Sequence, residues 1–453
     1  MTAPAVPALT CNHAVDPLGV ETPAPRLAWQ LDPGRPGLRQ TAWQVQAAST
    51  RERLEAGAPD LWDSGRVAGD RQFDVPYGGL PLGARRRAAW RVRAWDDQDA
   101  ASAWSAPAAW EMGLLRSDDW VAQWIGADRG QPQKPDPEPA PLLRRACTLP
   151  GGAVRARAYV CGLGLGVFTV NGARPDDRVL APAATTYDRA VLYETFDITP
   201  LLRDGENVFG LVLGNGWYNC HTREVWDFVS APWRDQPKGL VQIHIEHADG
   251  GQTCIASGPD WRVHPGPVVF DGLRNGETFD ARRALPGWDA PGFDDGAWTP
   301  AKVLRAPGGV LRSAQLPPMR VVETVAPAAE TPRGPGVRVV DFGRNLTGWT
   351  RLTARGPTGA EVVLRHAEKR TPDGDIDQGN INSFIKSGET QTDRCLLAGA
   401  GEETAGEETW EPGFAYHGFQ YVEVTAPETV DLRVEARVVH TDLPSRGGFR
   451  CSS

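Results

Sequence analysis

Ala88-Ala-Trp-Arg-Val-Arg-Ala-Trp95 is the stretch that decides the fold class. Trp90, Val92 and Ala94 alternate with Arg91, Arg93 and Trp95, the period of two that buries one face of a strand and wets the other. On that pattern the two arginines form a solvated face. The same style, punctuated by Gly, Pro, Asn and Asp, recurs at 26–30, 42–47, 61–67, 155–160 and 166–170. The last of these runs into Asn171-Gly172, a strong hairpin signal. It continues at 193–202, 208–213, 337–340, 346–353, 361–366, 392–397, 414–424 and 434–440. One short helix is expected, over 50–57 with Ser49 as its N-cap. No succession of amphipathic helices follows, so the chain reads as all-β.

At about 150 residues per domain, 453 residues imply about three domains. Gly 50 and Pro 39 disfavour long helices, while 41% hydrophobic residues is too apolar for disorder. Breaks at 131–141, 306–318 and 443–448 divide the chain into β-sandwich segments at 1–115, 116–315 and 319–442. The net charge of −9 argues against nucleic acid or an anionic membrane as partner. No apolar run is long enough to span a bilayer. The first residues show no secretory signal, so a cytoplasmic location is expected. Seven scattered cysteines without C-x-x-C suggest reduced thiols, not a disulfide framework or a zinc site.

Several motifs invite chemistry. Gly162-Leu-Gly-Leu-Gly166 has the wrong spacing for a nucleotide loop, and a strand instead of a helix follows it. Asp341-Phe-Gly343 lacks the companion motifs of a kinase. His244 and His247 fall on opposite faces of an alternating strand and do not make a zinc pair. Asp373, Asp375 and Asp377 could wrap calcium, although the register of a calcium loop is broken and a solvated turn is the simpler reading. Asn215-Gly-Trp217-Tyr218-Asn219 places amides and aromatic rings together at a strand end. Sugars are held by such groups, rings against C–H faces and amides on hydroxyls, but an ordinary core Trp-Tyr pair reads equally well. No pair of carboxylates stands out as a glycosidase acid and base.

An ordered set of phrases resembles the N-terminal half of bacterial α-L-rhamnosidases, glycoside hydrolase family 78. Pro25-Arg-Leu-Ala-Trp29, Leu61-Trp-Asp-Ser-Gly65 and Trp90-Arg-Val-Arg-Ala-Trp95 resemble its leading fibronectin type III-like module. Val170-Asn-Gly172, Leu213-Gly-Asn-Gly-Trp-Tyr218, Gly276-Glu-Thr-Phe-Asp-Ala-Arg282 and Phe293-Asp-Asp-Gly-Ala-Trp298 resemble its jelly roll. Asp341-Phe-Gly-Arg-Asn345, Leu364-Arg-His-Ala-Glu368 and Tyr416-His-Gly-Phe-Gln-Tyr421 resemble its concanavalin-like domain. The resemblance implies three consecutive sandwiches, with 443–453 as the start of an (α/α)6 barrel that carries the hydrolytic carboxylates. On that view no catalytic residue lies in this chain, which acts as the accessory, substrate-binding portion for rhamnose-containing glycosides. The alternatives are a stand-alone rhamnose-binding protein and a truncated gene product. The implied partner is a separate barrel or a second copy of the chain. The resemblance also implies a jelly roll that binds rhamnose, through Asn171, Asp177, Asn215, Trp217, Tyr218, Asn219 and Asn275. No cofactor is required; calcium, if bound, would draw on Asp177, Asn215, Asp373, Asp375 and Asp377.

Overall fold

The computed structural model describes residues 4–32, 34–129, 138–399, 406–443 and 449–451. Most of the Pro-rich break at 131–141, and residues 444–448 of the last break, lie outside them. The regular structure of the described chain is nearly all β-strand, and the chain forms two compact units, Met1–Val121 with Arg312–Gln315, and Ala122–Leu311 with Leu316–Ser453. Among the described residues no helix is long and apolar enough to cross a membrane. Cys11, Cys147, Cys161, Cys220 and Cys395 are free thiols.

In the first unit, strands Ala5–Cys11, Arg26–Asp32 and Val75–Pro76 make one sheet, and Gln40–Ala48, Arg87–Asp96 and Ala108–Glu111 form the body of the other. The alternation at 88–95 behaves as expected on its inner side, where Trp90, Val92 and Ala94 are fully buried. Its outer side is not simply wet. Arg91 stacks on Trp104 at 4.5 Å, and Arg93 lies between Trp104 at 4.7 Å and Trp95 at 4.9 Å. Both also donate to Gln46 and Gln44 of the neighbouring strand. The guanidinium planes cover indole faces that would otherwise be exposed, so the arginines are half-buried. The short helix spans Arg51–Glu55, and its cap is Thr50, whose hydroxyl accepts from Arg53 N at 3.2 Å. Ser49 is engaged instead by Asp60.

The second unit holds two sandwiches' worth of sheet. One layer is built around Lys238–His247 and Ala153–Leu163, the facing layer around Gly205–Gly214 and Pro141–Leu149. Their inner residues, among them Leu143, Ala158, Phe168, Phe209, Leu211 and Ile243, form one core. Asn171 at φ 53° and Gly172 at φ 81° form the expected hairpin turn after Leu165–Val170. Gly162 and Gly166 pack backbone to backbone where two strands meet; a Cβ on Gly162 would lie 2.6 Å from Gly166 Cα. The glycines serve close approach, not phosphate. On the outer side of Pro141–Leu149, Arg144 is 1% exposed and donates to the carbonyls of Trp288 at 2.7 Å and Phe293 at 3.3 Å, and to Asp295.

A larger sheet runs Val268–Gly272, Gly276–Asp280, Thr392–Leu396, Glu361–Ala367, His417–Thr425, Val337–Arg355, Asp431–Thr441 and Met319–Val325. The stretches 337–340 and 346–353 are one long strand, with an irregularity between Asp341 and Leu346. The first hairpin of this sheet, 268–280, precedes the 306–318 break and so stood with the jelly roll in the sequence reading. Its second strand instead pairs in parallel with Thr392–Leu396, Thr278 opposite Arg394. Hydrogen bonding, which composition does not reveal, carries these residues into the later sheet.

Candidate functional site

The strand Gly205–Gly214 ends in the loop that bears Asn215, Trp217 and Asn219. Facing it is the turn of the 268–280 hairpin, with Asp271, Arg274 and Asn275. Together with Cys220, His221, Thr222 and Glu224 these residues line a cleft. Four of the seven sugar-site candidates, Asn215, Trp217, Asn219 and Asn275, are thus brought to one place.

The polar groups of the cleft are cross-braced. Asn215 donates from its backbone N to Asp271 Oδ1 at 2.8 Å and from its amide to Asp271 Oδ2 at 2.8 Å, while its own oxygen accepts from Asn219 at 2.6 Å. Asn275 accepts from Thr222 Oγ1 at 2.5 Å and donates to the carbonyls of Glu389 at 2.7 Å and Ser387 at 3.2 Å. Trp217 packs edge-on against Phe228 at 5.3 Å, and Arg274 lies over Trp226 at 4.2 Å and Trp217 at 5.4 Å.

The other three candidates are elsewhere. Tyr218 is 1% exposed, edge-on to Tyr187 at 5.2 Å, and belongs to the interior instead of offering a platform. Asn171 clasps its own hairpin, donating to Leu201 O and Asn207 Oδ1 and accepting from Val208 N. Asp177 is an exposed partner of Arg320 at 2.5 Å.

The five calcium candidates do not share a shell. Asp177 is held by Arg320 and Asn215 by Asp271. Asp375 pairs with Arg333 at 2.6 Å, Asp377 accepts from Gly379 N at 2.8 Å, and Asp373 is exposed in the connecting turn. Alternation of small turn residues spreads these carboxylates along a hairpin instead of gathering them. Among the described residues the grouping with metal-ligand chemistry is another one, His366, Asp393 and His417, fully buried. His417 Nε2 lies 3.0 Å from both Asp393 oxygens, and His366 Nε2 lies 2.6 Å from Thr350 Oγ1. Asp393 also accepts from Glu277 N at 2.9 Å, and Glu277 accepts from the N–H groups of Gly413 and Phe414 at 2.9 Å. The hydrogen-bonding atoms that face one another already have protein partners, which makes this a structural brace.

Sequence reasoning missed this brace, although the signal was present. His366 shares inward parity with Val362 and Leu364, Asp393 with Cys395 and Leu397, and His417 with Phe419, and all are buried. Polar groups on a core face must find partners among themselves. Burial, and then the neighbouring His417, push the pKa of His366 down to about 3. Burial alone would raise Asp393, but His417 and its hydrogen bond hold it below the usual carboxylate value. Burial and the nearby Asp271 and Asp393 charges raise Glu277 well above its ordinary value.

Asp271 is raised by burial to about 7. A carboxyl that holds its proton more tightly when folded contributes stability fully at acid pH and loses it as pH rises through the folded value. The second unit is therefore expected to lose about 2 kcal/mol between pH 5 and pH 8 from this group. Thermal melts across that range should show the decline, and Asp271→Asn should flatten it. An unchanged slope in the variant would refute the assignment.

Comparison with known proteins finds three domain matches along the chain. The chain matches the Rha78A-like N-terminal immunoglobulin domain over residues 6–116, the α-L-rhamnosidase N-terminal domain over 152–323 and the bacterial α-L-rhamnosidase concanavalin-like domain over 331–440. It is 30% identical to an α-L-rhamnosidase of Streptomyces avermitilis, covering 98% of this chain and 58% of that relative. It is also 30% identical to one of Formosa agariphila, over 97% and 48%. The solved α-L-rhamnosidase from Dictyoglumus thermophilum superposes with a TM-score of 0.90 at 33% identity, covering 99% of this chain and 50% of that one. The Streptomyces avermitilis enzyme complexed with L-rhamnose gives a TM-score of 0.89 at 29% identity, over 98% and 58%. The chain spans about half the length of the curated relatives it matches. The chain thus carries, in this order, three domains that match those of α-L-rhamnosidases.

Proposed function

We propose that this chain holds rhamnose-containing glycosides as the accessory, substrate-binding portion of an α-L-rhamnosidase, with the cleft around Asn215, Trp217, Asn219 and Asn275 as the sugar site. The observation that carries this reading is the cleft itself: amides, carboxyl groups and the Trp217 indole converge on loops at the end of a sandwich, where they can meet both the hydroxyls and the C–H faces of a sugar. A solved relative bears L-rhamnose. Cutting is assigned elsewhere. The carboxylates Asp271, Glu277 and Asp393 are each at most 1% exposed and engaged by backbone or side-chain donors, which leaves Glu224 of the cleft without the second free carboxylate that glycoside hydrolysis requires.

Calorimetric titration with L-rhamnose should show binding, weakened at least fivefold by Asn219→Ala or Trp217→Ala; no heat for the parent chain would sink the reading. Added calcium or a chelator should leave the affinity unchanged, because the five acidic and amide candidates do not share a shell. A calcium requirement would point to a different donor set. The purified chain should release no nitrophenol from an aryl α-L-rhamnoside, and release above the buffer rate would contradict the assignment.

A further inference from the structure

The cleft contains acceptors with nothing to accept from. Glu224 is 6% exposed; its Oε2 lies 3.4 Å from Arg274, while its buried Oε1 has no hydrogen-bond partner. His221 Nε2, in the same lining, has none either. The His221 ring is hydrogen-bonded to the Asn219 backbone, and burial keeps it neutral, which leaves a lone pair on Nε2. A buried carboxylate oxygen without a donor is costly and rare in a native fold.

The free space within the cleft that these residues line is about 10 Å³, the size of one water-sized group. Immediately outside it the surface changes character. Trp226 is 58% exposed, with Val225 at 44% and Phe384 at 49% beside it, and Val225 N donates to Phe384 O. Arg274 joins the two regions, reaching Glu224 on one side and lying over Trp226 on the other. A trapped water would satisfy the acceptors but leave the indole uncovered. A metal ion would meet the fixed positive charge of Arg274. A ring with one hydroxyl to insert and an apolar face to lay down suits both regions at once.

We propose that this slot takes a single hydroxyl of a pyranoside, donated to Glu224 Oε1, while the sugar ring lies against Trp226. The inference rests on the reading of the cleft as a sugar site and adds the residues that set the orientation of the sugar.

The test is titration of the full chain, Glu224→Gln and Trp226→Ala with methyl α-L-rhamnopyranoside and methyl α-D-mannopyranoside. In Glu224→Gln, Arg274 holds the amide oxygen and a donor NH₂ replaces the acceptor in the slot. Trp226→Ala removes an exposed ring, and thermal melts of both variants check that folding is intact. Each variant is expected to bind at least tenfold more weakly than the parent. Rhamnoside binding equal in all three proteins overturns the slot and leaves the rhamnose reading standing. Binding of the mannoside alone, weakened in both variants, supports the slot and overturns rhamnose as the ligand. No binding of either sugar to the parent chain overturns both.

Discussion

Asp393→Ala is expected to cost about 3–5 kcal/mol of unfolding free energy, the range for breaking one side of a buried charged pair. Asp393 has no exposed surface, and its oxygens receive His417 Nε2 and the Glu277 N–H. Truncation leaves both donors enclosed without acceptors. His417 Nδ1 already has no partner, so the imidazole would lose its remaining anchor. The rings of His366 and His417, 4.4 Å apart, would then pack against a void. Asp393→Asn keeps one acceptor oxygen and should lose about half as much. Because the folded pKa of Asp393 is depressed, its contribution is present above the ordinary carboxylate range and disappears as pH falls through the folded value. Urea titrations of parent and variants should therefore differ strongly at pH 7 and progressively less as pH falls below the ordinary carboxylate range. Equal midpoints at pH 7 would refute the brace.

Arg144→Leu should be comparably damaging, about 3–4 kcal/mol. The guanidinium lies under the 286–298 segment and supplies donors to the Trp288 and Phe293 carbonyls and to Asp295, with Phe293 5.6 Å away across its face. Leucine fills the stem's volume but leaves these acceptors bare. Trp288 and Trp298 stack at 6.0 Å in the same segment, so its loosening should be visible as a change in tryptophan fluorescence. Limited proteolysis is expected to cut within 286–298 in the variant and not in the parent. Arg144→Lys should rescue poorly, since an ammonium cannot present the planar fork that serves several carbonyls at once. A variant as protease-resistant as the parent would show that the segment is held by its aromatic packing alone.

Strands whose inner residues alternate cleanly were legible in the sequence, as Trp90, Val92 and Ala94 illustrate, because burial there follows from local period alone. The outer face was less so. Arg91 and Arg93 looked solvated because nothing local announces that Trp104, more than ten residues on, returns to stack on them. At the candidate site, Asn215, Trp217, Asn219 and Asn275 were found through residue type and loop position. Tyr218 was misplaced because one step along the chain reverses the direction of a side chain. Asp271 and Glu224 were missed since a single carboxylate among 57 acids has no signature until a fold shows which face it is on. Asp373, Asp375 and Asp377 read as a solvated turn before a calcium shell, and the hairpin keeps them apart with Asp373 and Asp375 exposed.

The hairpin at 268–280 has a practical consequence for anyone dividing the chain. Thr278 is paired with Arg394 across more than a hundred residues, and that pairing covers one side of Thr392–Leu396. A polypeptide begun at 319, at the compositional break, would expose that strand as an open edge. Such edges recruit other chains, so the shorter piece should self-associate where one begun upstream of 268 stays dispersed. Long-range pairing of this kind also delays completion of the sheet during folding, and makes the last sandwich depend on a part of the chain synthesised long before it.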